Sequence, residues 1–369
     1  MPRIVILTVR HGAAHERVAQ ALRKALAEIR PDVTVDVEDM LAHCTRWFRA
    51  YYNSYELPLR YWPALWGWIE GRQHGGSSTG PTWLYRRGAR PLWRWIKDRR
   101  PDIVVATETG ILEIVSLVKR EGGAEFRLVG VDGLDVDRAW AQAEVDLYAV
   151  APDPVAAELA AAGVPASKIV PCGMPVDPSF LSLPSRSVAR ERLKIAGEAP
   201  LLLVLFGGAG FGKPREIIRE LKKVRRPLQA VFITGKNRRL EDEARSLCQG
   251  DSRYRALGWA DNMHEWMAAA DMVLNKPSGL AIVEAMTCGL PFLALDPLPG
   301  NEVRHCGLIE RWGVGCWVRR HADLAATLDR LLSNPGELDR MRERARELAR
   351  PRAACEAAEA ILQLVGSHQ

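Results

Sequence analysis

Residues 271–291 read Asp271-Met-Val-Leu-Asn-Lys-Pro277-Ser278-Gly279-Leu-Ala-Ile-Val-Glu-Ala-Met-Thr-Cys-Gly289-Leu-Pro, and this stretch decides the fold. The short apolar run after Asp271 predicts a strand. Pro277-Ser278-Gly279 predicts a turn in which Ser278 is the N-cap of a helix. Gly289 is expected to end that helix, and residues 292–295 predict a second buried strand. This order of elements is typical of an α/β protein.

The polar residues near this stretch indicate where a ligand could bind. Glu284 lies a little more than one turn into the helix, and Asn301 and Glu302 lie in a polar loop after the next strand. Ligands of open α/β sheets bind at the carboxyl ends of the strands. A helix start there offers N–H groups to an anion, with a carboxylate nearby for a sugar diol. Spacing alone favours an ordinary strand–helix–strand unit with an incidental glutamate.

Composition limits the class of protein. The chain has 369 residues, which predicts two domains, and 47% hydrophobic with 26% charged residues is typical of globular proteins. Seven cysteines and eight histidines lack the spacing of a disulfide framework or a metal site. No apolar run reaches the ~18 residues of a spanning helix, and the first apolar strand is too short for a signal peptide. These features predict a cytoplasmic protein.

The net charge of +6 favours an anionic partner, and no nucleic-acid-binding motif is present. Aromatic and basic residues are concentrated between residues 41 and 100, where a Gly/Ser-rich loop at 75–80 predicts flexibility. Seven of the twelve tryptophans lie there: Trp47, Trp62, Trp66, Trp68, Trp83, Trp93 and Trp95. Tryptophan and arginine suit a bilayer interface, but tryptophans in a core with arginines on a solvated face explain the same pattern.

His15 follows the first predicted strand, residues 3–9, and precedes a predicted helix over residues 16–29. A helix N-terminus disfavours imidazolium, so a neutral imidazole that can act as a base is expected. A simple capping role for His15 fits the same position. Glu108 occupies a similar place after the predicted strand 103–106. It could contribute to a binding site there, or it could simply be a charge at a helix start.

A second loop with phosphate-binding character follows the predicted strand 201–206. It reads Gly207-Gly208-Ala209-Gly210-Phe211-Gly212-Lys213-Pro214. Its spacing is close to that of a P-loop, but Pro214 replaces the hydroxyl residue that binds magnesium, which argues against an ATPase. Four glycines instead predict a loop whose N–H groups hold a diphosphate.

The chain resembles lipid glycosyltransferases of the GT-B fold over almost its whole length. The residues that carry the resemblance are 258–291, Gly12-Ala13-Ala14-His15 and the loop 207–212. The most similar families are the monogalactosyldiacylglycerol synthases and the processive diacylglycerol glucosyltransferases, with the lipid II N-acetylglucosaminyltransferase more distant. The resemblance implies an α/β GT-B fold in which two Rossmann-like domains face each other across a cleft.

The resemblance also implies a domain division and site residues. Residues 1–178 would form the acceptor- and membrane-binding domain, with helix 353–369 packing back on it, and residues 190–350 the sugar-nucleotide domain. His15 matches the catalytic base, and Glu108 would meet acceptor hydroxyls or assist His15. The donor residues implied are Gly207, Gly208, Gly210 and Gly212 for the diphosphate, Gly235 and Asn237 near the nucleotide, Trp259 and Met263 at the uracil, Ser278 and Gly279 at the helix start, Glu284 at the ribose, and Asn301 with Glu302 at the sugar.

The activity implied is inverting transfer of a hexose from a uridine-diphosphate (UDP) sugar to a membrane lipid such as diacylglycerol. No metal or other cofactor is implied, and the partners are a UDP-sugar, a lipid acceptor and an anionic membrane surface. The protein would act peripherally on the inner face of the cell membrane. Alternatives are an enzyme using UDP-N-acetylglucosamine, either a lipid II-type transferase or a 2-epimerase, and a non-catalytic sugar-nucleotide-binding protein. The sugar, the lipid and the oligomeric state stay open.

Overall fold

The computed structural model describes residues 1–9, 14–54, 78–123, 125–131, 133–134, 136, 138–152 and 154–365. The chain divides into two compact units. The first unit contains Met1–Pro178 together with Arg350–Gln369, and the second contains Ser179–Ala349. Each unit is built on one six-stranded sheet whose neighbouring strands are all parallel.

The twelve strands are β1 Arg3–Thr8, β2 Thr34–Asp39, β3 Ile103–Ala106, β4 Arg127–Val131, β5 Leu147–Ala149, β6 Ile169–Val170, β7 Leu201–Leu205, β8 Gln229–Ile233, β9 Tyr254–Leu257, β10 Met272–Asn275, β11 Phe292–Ala294 and β12 Gly315–Trp317, counted over the described residues. The α-helices of the same residues are α1 Ala14–Ile29, α2 Arg46–Asn53, α3 Thr82–Gly88, α4 Arg90–Arg99, α5 Thr109–Gly122, α6 Val155–Ala161, α7 Arg186–Leu193, α8 Pro214–Leu221, α9 Arg238–Cys248, α10 Met263–Ala269, α11 Gly279–Thr287, α12 Asn301–Trp312, α13 Leu324–Ser333, α14 Pro335–Leu348 and α15 Ala353–Val365.

The first unit has the strand order β2-β1-β3-β4-β5-β6. Strand β1 therefore pairs with both β2 and β3, and the chain changes direction across the sheet at this point. The last helix, α15, packs against α1, and its buried face is mostly alanine. The first unit is thus completed by residues from the far end of the chain.

The second unit has the strand order β12-β11-β10-β7-β8-β9. Counted from its own first strand, this is the 3-2-1-4-5-6 order of a Rossmann fold. The direction changes between β7 and β10, which pair directly, with Val204 opposite Leu274. Such a switch point leaves a crevice at the carboxyl ends of the two strands, and ligands bind in this crevice in open α/β sheets.

Burial explains why these segments form strands and helices. Residues 4–7 of β1 and 201–203 of β7 are fully buried, as expected for parallel strands that are covered on both faces. Helix α1 instead buries one stripe, which includes Val18, Leu22 and Leu26, and exposes its other face. Among the described helices, none combines the length and the apolar character needed to span a bilayer.

Three sequence-based expectations differ from the structure. Helix α1 begins at Ala14, so His15 lies inside its first turn, because the helix extends two residues further than the apolar periodicity indicated. Asn301 and Glu302 are the first two residues of helix α12 and do not lie in a loop. The loop ends at Gly300, which is the N-cap of this helix. In the described part of the expected flexible loop 75–80, Ser78 and Thr79 are held, since both hydroxyls donate to the buried Glu113 carboxylate; residues 75–77 lie outside the described residues.

Candidate functional site

The glycine loop after β7 adopts a conformation that only glycine allows easily. Gly207 and Gly210 have φ angles of 68° and 69°, and Gly235 in the neighbouring β8 loop has a φ of 65°. A Cβ atom on Gly235 would lie 2.3 Å from the Gly207 carbonyl oxygen. A Cβ on Gly210 would lie 2.3 Å from the Thr234 carbonyl oxygen. The loops after β7 and β8 therefore lie directly against each other.

Hydrogen bonds fasten the glycine loop to the same neighbour. The Lys236 amide donates to the Gly208 carbonyl at 3.0 Å, and the Asn237 side-chain amide donates to the Gly210 carbonyl at 2.9 Å. The other end of the Asn237 side chain accepts from the Leu240 amide and caps α9. Asn237 thus positions the glycine loop, while the Phe211 ring at the loop tip is 59% exposed.

The loop after β10 carries the third group of predicted residues. Ser278 occupies the N-cap position of α11 and Gly279 is its first residue, although the Ser278 side chain makes no capping hydrogen bond. Lys276, which the sequence analysis missed, forms an ion pair with Glu302. Glu302 also accepts from the Leu298 amide at 2.8 Å. The carboxylate expected at the donor sugar is therefore engaged by a lysine, while Asn301 is exposed.

Glu284 lies in the middle of α11 and is only 2% exposed. Burial, together with the nearby Glu284 carboxylate, raises the pKa of the Cys288 thiol above its ordinary value. A carboxylate this deeply placed is costly to keep charged unless polar groups surround it. Its expected contact with a ribose stays a prediction.

The loop after β9 contains Trp259 and leads to Met263, the first residue of α10. The Trp259 indole N–H donates to Asp261 at 2.6 Å, and the Lys236 ammonium lies 4.7 Å from the ring centre of Trp259. A surface pocket of about 560 Å³ borders this loop. Its lining includes Trp259, Asn262, Trp266, Arg245 and Arg255. The loops after β7, β8, β9, β10 and β11 thus place all the predicted donor residues except Glu284 at one edge of the sheet.

In the first unit, His15 lies at the switch point between β1 and β3. Its Nδ1 atom is 2.7 Å from the carbonyl oxygen of Thr107, the residue that follows β3. A carbonyl only accepts hydrogen bonds, so Nδ1 carries the proton, and a neutral ring has its lone pair on Nε2. The half-buried His15 is therefore held in the tautomer that a general base requires.

Glu108 acts as the N-cap of α5. Its Oε2 atom accepts from the Ile111 amide at 3.0 Å and from the Tyr52 hydroxyl at 2.6 Å. Of the two sequence-based readings, the charge at a helix start describes the observed contacts. No hydrogen bond joins Glu108 to His15 among the described residues, and the expected roles of Glu108 towards acceptor hydroxyls or His15 stay predictions.

The aromatic segment divides into two kinds of residue. Trp47 and Trp83 are 46% and 60% exposed, whereas Trp93 and Trp95 are half-buried, with Lys97 and Arg99 respectively lying over their rings. The core explanation therefore fits Trp93 and Trp95 better than Trp47 and Trp83, and attachment of this segment to a bilayer stays a prediction. Several residues that the sequence analysis named lie outside the described residues: Gly12, Ala13, Trp62, Trp66 and Trp68.

Comparison with known proteins matches both units of the chain. The family model for monogalactosyldiacylglycerol (MGDG) synthase matches residues 15–176, and the model for glycosyl transferases group 1 matches residues 213–334. A processive diacylglycerol β-glucosyltransferase of Bacillus mycoides (strain KBAB4) is 25% identical over 98% of this chain and 93% of its own length. The predicted resemblance to these lipid glycosyltransferases is confirmed.

Solved structures share the fold along the whole chain. Acinetobacter baumannii MurG has a TM-score of 0.65 at 14% identity and covers 98% of this chain and 100% of its own. A putative UDP-N-acetylglucosamine 2-epimerase of Listeria monocytogenes reaches 0.64 at 17% identity, with 99% and 96% coverage. Anabaena Alr3699/HepE in complex with UDP-glucose reaches 0.57 at 17% identity, with 100% of both chains covered. The predicted α/β fold of GT-B type, built on two Rossmann-like sheets, is confirmed.

Because the two glycine loops approach each other closely, two glycine-to-alanine changes should lower the free energy of unfolding by different amounts. Gly210→Ala should lower the free energy of unfolding of the second unit by about 2–4 kcal/mol, about 1 from the positive φ and the rest from overlap with the Thr234 carbonyl. Gly250→Ala is the matched control, since Gly250 has a φ of 80° but no atom within 4 Å of the added Cβ. Urea unfolding followed by fluorescence measures both, and equal costs would contradict the close approach.

Proposed function

We propose that this chain transfers a hexose from a UDP-sugar to a membrane lipid of the diacylglycerol type, with inversion at the anomeric carbon. The observation that carries the proposal is its similarity to a diacylglycerol glucosyltransferase over 98% of the chain. The MGDG synthase match in the first unit supports a lipid acceptor. The structural neighbour solved with UDP-glucose supports a sugar nucleotide as the donor.

The second unit would hold the donor. The N–H groups of the loop 207–212 and of the α11 start at Gly279 are fixed dipoles that can bind a diphosphate. They would stabilise the charge that develops on the leaving diphosphate, so the reaction needs no metal in this proposal. Trp259 and Met263 would border the uracil, Glu284 would bind the ribose, and Asn301 with Glu302 would orient the sugar.

His15 would act as the general base. Its Nδ1–H is directed at the Thr107 carbonyl, which leaves Nε2 free to accept the proton of the acceptor hydroxyl. As the proton moves to Nε2, the acceptor oxygen forms its bond to the anomeric carbon. The bond from that carbon to the diphosphate oxygen breaks at the same time, and UDP leaves with the electron pair. One displacement inverts the anomeric centre.

The first unit would also meet an anionic membrane surface from the cytoplasmic side. Trp47 and Tyr51 are four residues apart on α2, so they lie on one face of the helix, and both are more than 40% exposed. The exposed Trp83 lies on α3, which packs against α2. Arginines on α2, α3 and α4 are exposed beside them: Arg46, Arg87, Arg90 and Arg94. Aromatic rings with cationic neighbours are suited to the headgroup region of a bilayer.

A second candidate activity uses UDP-N-acetylglucosamine. The observation that favours it is the similar TM-score of the Listeria putative 2-epimerase, an enzyme class that needs no lipid. This similarity is to a solved structure at 17% identity, so it weighs less than the full-length sequence similarity to a diacylglycerol glucosyltransferase. Product analysis separates these candidates.

The decisive experiment is UDP release from a panel of UDP-sugars, with and without vesicles that contain diacylglycerol. We expect release to depend on the lipid and a glycolipid to appear in the organic phase, because the acceptor hydroxyl must be supplied by the lipid. UDP-glucose, UDP-galactose and UDP-N-acetylglucosamine are compared in parallel. Lipid-independent turnover of UDP-N-acetylglucosamine to its epimer would refute the proposal.

Replacement of the general base should separate catalysis from donor binding. His15→Gln should lower kcat by about 10²–10⁴-fold, the usual contribution of general acid–base catalysis, because glutamine cannot accept the proton. The Kd for UDP should stay within about twofold by calorimetry. His43→Gln is the control, since His43 is another half-buried histidine of the same unit and stacks on Trp95. A parallel loss of kcat and UDP affinity in His15→Gln would indicate a structural role.

Removal of the exposed rings should weaken membrane binding. The double variant Trp47→Ser/Trp83→Ser should bind anionic vesicles at least about tenfold more weakly. Complete burial of a large apolar side chain contributes about 1.5–3 kcal/mol to the free energy of binding, and the variant loses two such rings. Sedimentation with phosphatidylglycerol vesicles measures the partition. Ile29→Ser is the control, because Ile29 is 38% exposed at the last residue of α1. The same loss in the control, or no loss in the double variant, would rule out this surface.

A further inference from the structure

Lys276 lies beside the glycine loop at the proposed donor crevice. It directly follows β10, one of the two strands at the switch point, and its side chain is 20% exposed. Its Cε atom lies 3.6 Å from the position that a Cβ on Gly207 would take, so the methylene stem runs along the first residue of the glycine loop. This places a cationic side chain against the loop that is suited to a diphosphate.

The partner of Lys276 is held in a fixed position. Glu302 is 12% exposed, lies in the first turn of α12 and accepts from the Leu298 amide with its second oxygen. The helix N-terminus and the Leu298 amide stabilise its negative charge without any help from the lysine. Lys276 can therefore leave Glu302 without stranding an unsupported carboxylate.

Other lysines at this edge have different surroundings. Lys236 lies over the Trp259 ring, and Lys213 is 61% exposed beside Glu216, at 3.7 Å. A diphosphate carries more negative charge than one carboxylate, so it competes well for an ammonium group that already lies against the glycine loop. In the absence of a donor, the Glu302 carboxylate therefore neutralises the ammonium group that a diphosphate would otherwise bind.

We infer that Lys276 exchanges partners when the donor binds, leaving Glu302 for the diphosphate, and that this exchange frees the Glu302 carboxylate to accept a hydrogen bond from the donor sugar. The inference rests on the proposed function, because it takes the donor to be a UDP-sugar. It assigns Lys276 to the diphosphate. The Lys276–Glu302 ion pair must then break when the donor binds, which lowers the affinity for the donor.

The exchange predicts effects of opposite sign for the two partners. Lys276→Met should weaken UDP binding by about 10- to 100-fold, the usual loss for a hydrogen bond between charged groups. Glu302→Gln should strengthen UDP binding, by roughly threefold or more, because the lysine no longer has to leave a carboxylate. Lys276→Arg keeps the charge and should retain most of the affinity.

Calorimetry of UDP with the full chain measures these effects without acceptor or turnover. Lys222→Met is the control for general electrostatics, since it removes an exposed lysine at the far end of α8 from the glycine loop, and it should change the Kd less than threefold. If Glu302→Gln and Lys276→Met both weaken binding, the ion pair is only structural and the inference is wrong. If Lys276→Met leaves the Kd unchanged, it is also wrong. Failure of the wild-type chain to bind UDP would instead overturn the proposed donor. Glu302→Gln decides the question independently if Lys276→Met does not fold.

Discussion

The parallel pairing of β7 with both β8 and β10 is the constraint on which the candidate donor site depends. Parallel strands bring their carboxyl ends to one edge, so the loops that follow these three strands meet there whatever their sequences. The glycines at 207, 210 and 235 then allow two of the loops to touch, and Asn237 fixes the contact. The same logic in the first unit, with β1 and β3, brings His15 to the Thr107 carbonyl.

Local signals predicted most of the fold. The strand 103–106 has the predicted bounds, and the glycine loop lies where the turn residues placed it. Helix α12 was missed because Pro297, Pro299 and Gly300 precede it and are typical of a loop. Its stability comes from packing of Cys306 and Ile309 in the core, which a local pattern of propensities does not reveal.

Site geometry was less predictable because its contacts are long-range. The sequence placed a histidine at a helix start, but the tautomer depends on a carbonyl 92 residues away. Lys276 was in the stretch that decided the fold, yet only its contact with Glu302, 26 residues later, gives it a functional setting. Glu108 illustrates the opposite case, in which the local explanation, a helix cap, describes the contacts that are observed.

The return of α15 to the first unit has a consequence for synthesis of the protein. The second unit is an insertion between two segments of the first, so all of its strands leave the ribosome before α15 does. Until then, α1 lacks the alanine-rich surface of α15 that packs against it. Domains at the start of a chain usually fold first during translation. Here the order is reversed. The face of α1 that packs against α15 stays uncovered until the whole second unit has been synthesised.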